Sequence, residues 1–137
     1  DSCELVCNGE IYNYNSFKKL LSQEYIFHSN SDCEVLIPLY LKYGIEIMCK
    51  MLDAEFALVL YNSKDNSIMA ARDPMGIRPM FYGYTKKIIN FFCKWSKALI
   101  DYCNDIMPFP PGHYYKDGKF TCYNDLSNTK FYKITII

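Results

Sequence analysis

Asn8, Gly9 and Glu10, in the run ELVCNGEIYNY, put a carboxamide, a bare backbone N–H and a carboxylate on three successive residues. If the backbone is extended there, the period of two sets the Asn8 amide and the Glu10 carboxylate on one face of the strand. Gly9 between them lets a ligand come close to its N–H. An amide donor beside a bare N–H makes up the usual parts of an oxyanion hole, and a neighbouring carboxylate can hold a substrate ammonium. The combination suits an amino-acid amide. Asn-Gly is also the favoured pair of a two-residue type I′ hairpin, so the backbone conformation decides between chemistry and a turn.

Other constellations point to structure. In ARDPMGIRPM, Arg72 and Asp73 could do acid–base work and Gly76 could belong to a phosphate loop. The stronger reading makes Pro74-Met75-Gly76 a turn between strands, with the two charges pairing to fix it. The seven cysteines are odd in number and include no Cys-x-x-Cys pair. Cys7, Cys33, Cys49 and Cys93 sit in apolar or amphipathic stretches, which fits free thiols in a reducing compartment better than a disulfide framework. His28 and His113 are far apart with no carboxylate-rich spacing around them, so no metal site is expected. His113, in the rigid loop FPPGHYY, is expected to have a polar partner and no catalytic duty.

These residues need elements to hold them. CELVC reads as a strand, and Asn13 to about Gln23 as an amphipathic helix carrying Phe17, Leu20 and Leu21 on one face, with Asn13 or Asn15 as cap. Ser31 and Glu34 have the spacing of a capping box that opens a second helix. Asp32 lies in its first turn near the positive end of the dipole, and Pro38 is expected to interrupt and bend that helix. From Phe56 the texture turns to β: EFALVLY, IMAARD, RPMFYGY and IINFF, bounded by turn formers. A short helix at SKALIDY and the Pro-rich MPFPPG follow. Two last strands, HYY and KFTCY, are joined by Lys116-Asp117-Gly118. Helices before strands, without βαβ alternation, favour an α+β layered fold with largely antiparallel sheets.

The 137 residues are half hydrophobic, enough for one core, and no repeat or linker divides them. Fifteen Lys and Arg balance fifteen Asp and Glu. The thirteen tyrosines and nine phenylalanines therefore lack the basic field that nucleic-acid stacking needs, and read as core and interface aromatics. No leader and no bilayer-length apolar run is evident, so neither export nor a membrane partner is expected.

The blocks NGEIYN (Asn8 to Asn13), SDCEV (Ser31 to Val35), MLDAEFALVLY (Met51 to Tyr61), ARDPMGIRPMFYGY (Ala71 to Tyr84) and FPPGHYY (Phe109 to Tyr115) resemble, in one order, the glutaminase domain of glutamine-hydrolysing asparagine synthetases. That resemblance implies an N-terminal-nucleophile fold, a four-layer αββα sandwich. It also implies hydrolysis of glutamine to glutamate and ammonia, which a synthetase domain of the same polypeptide uses for ATP-dependent amidation of aspartate. By position, Asn8 and Gly9 would form the oxyanion hole, and Glu10 and Asp32 would bind the substrate α-amino group. No cofactor is implied in this domain; ATP and magnesium belong to the synthetase domain. The implied partners are glutamine, that synthetase domain and, as an option, a second copy in a homodimer. The implied setting is cytoplasmic.

The sequence departs from the pattern in places. The family's nucleophile is a cysteine at the first position of the mature chain, whereas this chain begins at Asp1, and neither Cys3 nor Cys7 suits that role. Residues 1–137 are therefore expected to be a partial type 2 glutamine amidotransferase domain, incomplete at the N-terminus, with the synthetase domain absent and no glutaminase activity of its own. Ala54-Glu55 replaces a glycine and an apolar residue before FALVLY. The carboxylate clamp is not assigned to Arg72 or Arg78. Two alternatives stand: another class II amidotransferase of the purine-pathway type, or a degenerate binding module that keeps the fold.

Overall fold

The computed structural model describes residues 2–85 and 88–126. In chain order the elements are β1 (Cys3–Ile11), α1 (Tyr14–Leu21), α2 (Leu36–Met51), β2 (Ala54–Asn62), β3 (Ser67–Arg72), β4 (Phe81–Thr85), β5 (Ile88–Cys93), β6 (Asp105–Pro108), β7 (His113–Lys116) and β8 (Lys119–Cys122). Short 3-10 turns occupy Asp32–Val35 and Ser96–Leu99. One antiparallel sheet has the order β1-β2-β3-β7-β8, and a smaller one the order β5-β4-β6.

β2 is the organising strand because its period-two pattern is apolar on both faces. Phe56, Leu58 and Leu60 face a core shared with Phe17 and Leu21 of α1 and with Leu36, Leu39 and Met48 of α2. Ala57 faces the opposite way, into a second core with Ala70, Met80, Tyr82, Phe109 and Tyr115 between the two sheets. Phe109 is wholly buried there, with ring centroids 5.1 Å from Phe120 and 6.2 Å from Tyr82. Helices thus cover one face of the large sheet and the small sheet covers the other, as the α+β expectation has it. On the outer side of the small sheet, Cys103 packs against Gly83, where a Cβ would lie 2.2 Å from its Sγ, and Tyr102 stacks on Phe91.

Several local expectations change. Asn13 occupies the N-cap position of α1 but makes no cap bond. Its amide instead ties α1 to the end of α2, donating to the Met51 carbonyl at 2.9 Å and accepting from the Asp53 N–H at 3.1 Å. The capping box does not close: Ser31 makes no cap bond, and Glu34 turns back to accept from the N–H groups of His28 and Ser29 at 2.6 and 2.9 Å. Pro38 sits in the first turn of α2, where its missing N–H costs no helical bond, and the break falls at Gly44, which has φ 78° and ψ 169°. SKALIDY yields a single 3-10 turn, and β6 forms where only a Pro-rich loop is legible. Pro108 fits because β6 is an edge strand.

Arg72 and Asp73 fix their turn, as expected, but by binding backbone. Arg72 donates to the carbonyls of Gly76, Arg78 and Phe109, each at 2.7 Å. Buried Asp73 accepts from the N–H groups of Ile77 and Arg78. His113 has its polar partner, with Nδ1 2.7 Å from the Pro111 carbonyl. Among the described residues no helix is long and apolar enough to cross a membrane.

Candidate functional site

Asn8, Gly9 and Glu10 lie inside β1, paired with Ala57, Phe56 and Glu55 of β2, so the extended conformation wins over the hairpin. The type I′ turn occurs elsewhere, at Asp117-Gly118 between β7 and β8, where both φ values are positive, 50° and 79°. The difference is tertiary. Nine residues of β2 are available to pair with β1, which no two-residue turn at Asn8-Gly9 would allow.

The pairing also fixes where the Gly9 N–H points. The Phe56 carbonyl accepts from the Asp73 N–H at 2.9 Å and therefore faces away from β1. Gly9 and Phe56 form a non-hydrogen-bonded pair, and the Gly9 N–H points to the outer edge of β1. Two residues on, the Ile11 N–H points the same way and donates to Asp32 Oδ2 at 2.6 Å. Gly9 has a packing reason to be glycine as well: a Cβ would lie 2.4 Å from the Glu55 carbonyl oxygen and 2.8 Å from Phe56 Cα. Close approach to β2, in addition to ligand access, requires it.

Asn8 faces the second sheet. Its Nδ2 is buried and has no hydrogen-bond partner among the described residues, as is also true of Arg78 Nε. A buried donor in that state costs roughly 1–3 kcal/mol, a cost that an acceptor arriving there would remove. A cavity of about 100 Å³ adjoins Asn8, lined also by Val6, Ala57, Val59, Met80 and Phe92. A cleft of about 590 Å³ lies by Ser2, Cys3 and Tyr25 at the far end of β1, with Lys64 in its lining.

Glu10 is exposed on the same face as Asn8 and stands opposite Glu55. Like charges directly opposite in a sheet repel. Arg78 Nη2 binds the Glu55 carboxylate and offsets that repulsion. Glu55 and Arg78 were the residues that sequence reasoning left out of the site. The departure from the family pattern at Ala54-Glu55 was the one available signal. Asp32 is held by the Ile11 N–H at the strand edge, so its place is set by β1 and not by a helix dipole. The structure therefore gathers all four sequence-predicted residues around one end of β1: Asn8 and Glu10 on the face, the Gly9 N–H and the Asp32 carboxylate at the edge. Donors of this kind can share one oxyanion, and the carboxylates give a field that suits an ammonium.

The Cys7 side chain lies on the opposite face, against the helix-side core. Its hydrogen bond with Cys33, and then burial, push its thiol up, so Cys7 is protonated at neutral pH and a poor nucleophile. Among the described residues no group of three or more His, Cys, Asp or Glu side chains could hold a metal ion.

Comparison with known proteins bears on the family and the fold. A family model described as "glutamine amidotransferase domain" matches residues 1–109. A "probable asparagine synthetase [glutamine-hydrolyzing]" of Dictyostelium discoideum is 41% identical over 127 residues, covering 90% of this chain and 23% of that protein. Asparagine synthetase 1 of Saccharomyces cerevisiae is 43% identical, covering 87% of this chain and 21% of that protein. The chain thus spans only about a fifth of the length of these relatives. Glutamine phosphoribosylpyrophosphate amidotransferase from B. subtilis superposes with a TM-score of 0.74 at 25% identity, over 89% of this chain and 29% of that one. With the family model matching most of its length and the antiparallel sheets superposing on a solved amidotransferase, the chain belongs to the glutamine amidotransferase domain family.

Proposed function

We propose that this chain supplies the oxyanion-stabilising and ammonium-binding wall of a glutaminase site in a glutamine-hydrolysing asparagine synthetase. The observation that carries the reading is the shared edge of β1, where the Gly9 N–H and the Asp32 carboxylate face outward beside the unpartnered Asn8 amide. Glutamine would lie along that edge with its carboxamide oxygen on Asn8 Nδ2 and the Gly9 N–H, and its α-ammonium between Glu10 and Asp32. Donors fixed by a paired strand do not reorganise as charge develops on the oxygen, which is what lowers the barrier.

Cys7 is not the nucleophile, since it faces the other way and is protonated. Hydrolysis would require a cysteine thiolate presented to the Asn8 and Gly9 donors. Ammonia released at the site would serve the ATP- and magnesium-dependent amidation of aspartate in a synthetase domain. The asparagine-synthetase branch is favoured over the purine-pathway type because sequence relatives of the first kind reach 41–45% identity, whereas the phosphoribosylpyrophosphate enzyme shares 25%.

Asp32→Asn tests the assignment in the full-length protein. Asparagine keeps an oxygen for the Ile11 N–H and loses only the charge. The KM for glutamine is expected to rise about tenfold or more, with kcat changing less. An unchanged KM in steady-state glutaminase assays would remove Asp32 from the ammonium site.

A further inference from the structure

The sheet face that would hold the substrate ammonium carries more than one carboxylate. Glu10 and Glu55 are paired directly across β1 and β2, so their side chains leave the sheet on the same side with Cβ atoms roughly 5 Å apart. The two are not equivalent. The Glu55 side chain is 18% exposed and is held by Arg78, whose Nη2 lies 2.5 Å from its Oε1, whereas Glu10 is exposed. The other ion pairs among the described residues, Lys42–Glu24 and Lys50–Glu46, involve α2 and leave Glu10 out.

Arg78 is delivered from a rigid support. Its N–H donates to Asp73 Oδ2 at 3.2 Å, its carbonyl accepts from Arg72 Nε at 2.7 Å, and Pro79 fixes the next backbone angle. With the backbone pinned on both sides, the guanidinium reaches the start of β2, where Glu55 stands. Its Nε is buried without a partner among the described residues, so Glu55 supplies the acceptor that holds the group. Loss of the Glu55 carboxylate would leave the guanidinium in need of an acceptor beside Glu10. Loss of Arg78 would free Glu55 as a second carboxylate within reach of the same cation.

We propose that Arg78 and Glu55 are a positioning pair for the α-ammonium of the glutamine substrate: each cancels the other's charge, which leaves Glu10 as the free carboxylate on that face. The proposal rests on the ammonium placement given above and extends it to two residues that do not touch the substrate. Glu55 keeps Arg78 from closing on Glu10 and competing with the ammonium. Arg78 keeps Glu55 from adding a second negative charge. The pair thereby sets how tightly an amino-acid amide is held, and because the site is partly exposed, each unpaired charge changes that affinity by a modest factor.

The test is the steady-state KM for glutamine of the full-length protein and three variants. Glu55→Gln is expected to raise KM about fivefold, Arg78→Gln to lower it about threefold, and the double variant to return to within about twofold of the parent, with kcat changing less than KM throughout. A pair that only braces the turn would shift both single variants the same way. That result, or a double variant no better than Glu55→Gln, would overturn the proposal. Inhibition by glutaramate, which is glutamine without its α-amino group, gives a second readout should Arg78→Gln fail to fold. Its Ki is expected to be the same in the parent and in Glu55→Gln, and a Ki that rises as far as KM does would also overturn the pair's role. Failure of the ammonium placement itself reads differently, as a KM unmoved by Asp32→Asn, a variant that leaves the pair intact, and the proposal falls with it.

Discussion

Gly9 carries two duties that pull in the same direction. Its N–H is a donor at the edge of β1, and its missing side chain is what lets β1 lie against Glu55 and Phe56. Gly9→Ala would drive a methyl group into two backbone groups that cannot yield independently. The expected cost is about 3 kcal/mol, the upper end of overpacking effects, read as a lower urea midpoint at an unchanged slope. A midpoint within error of the parent would mean that β1 can separate from β2 at this residue. The dual role was not legible beforehand. Asn-Gly reads equally well as a turn, and only the pairing partner, Phe56, 47 residues on in sequence, shows what the glycine must avoid.

The elements were legible where a period was strong and a long-range partner did not intervene. β2 and β3 declare themselves by branched and aromatic residues in runs bounded by polar turns. The segment between α1 and α2 did not, because its capping signature is taken over by other groups. Asp32 is drawn to the Ile11 N–H, and Glu34 to the loop that precedes it. That second exchange has a pH signature. The N–H of His28 above all, then the hydroxyl and N–H of Ser29, hold the Glu34 carboxyl below its ordinary range. A carboxyl depressed in the folded state stabilises above its unfolded pKa, and the contribution is lost as pH falls through the folded value. Amide exchange at His28 and Ser29 is therefore expected to be slow at neutral pH, relative to neighbouring loop amides, and to lose that protection on acidification below the usual carboxylate range. Protection that persists in Glu34→Ala would contradict this account.

At the scale of the molecule, two cores share one sheet, and the inter-sheet core rests on aromatic contacts centred on Phe109. Phe109→Ala should cost about 3–5 kcal/mol in chemical denaturation, because three neighbouring rings lose a partner and cannot all collapse inward. A loss under 1 kcal/mol would mean that the second sheet is not held by this cluster. The same core backs the face on which Asn8 stands, so the site's donors are as rigid as the packing behind them. From sequence, the layers could be inferred from helices preceding strands, but not that Pro108 ends an edge strand or that Arg78 closes on Glu55, since both depend on neighbours the chain reaches only after folding.

The central claim is that Asn8 and Gly9 steady the negative charge that forms on a carboxamide oxygen. The most direct measurement is the steady-state kcat for glutamine hydrolysis by the full-length protein, with and without Asn8→Ala. A fall of about a hundredfold or more, with the KM for glutamine changed far less, is the predicted result. A kcat equal to that of the parent would contradict it.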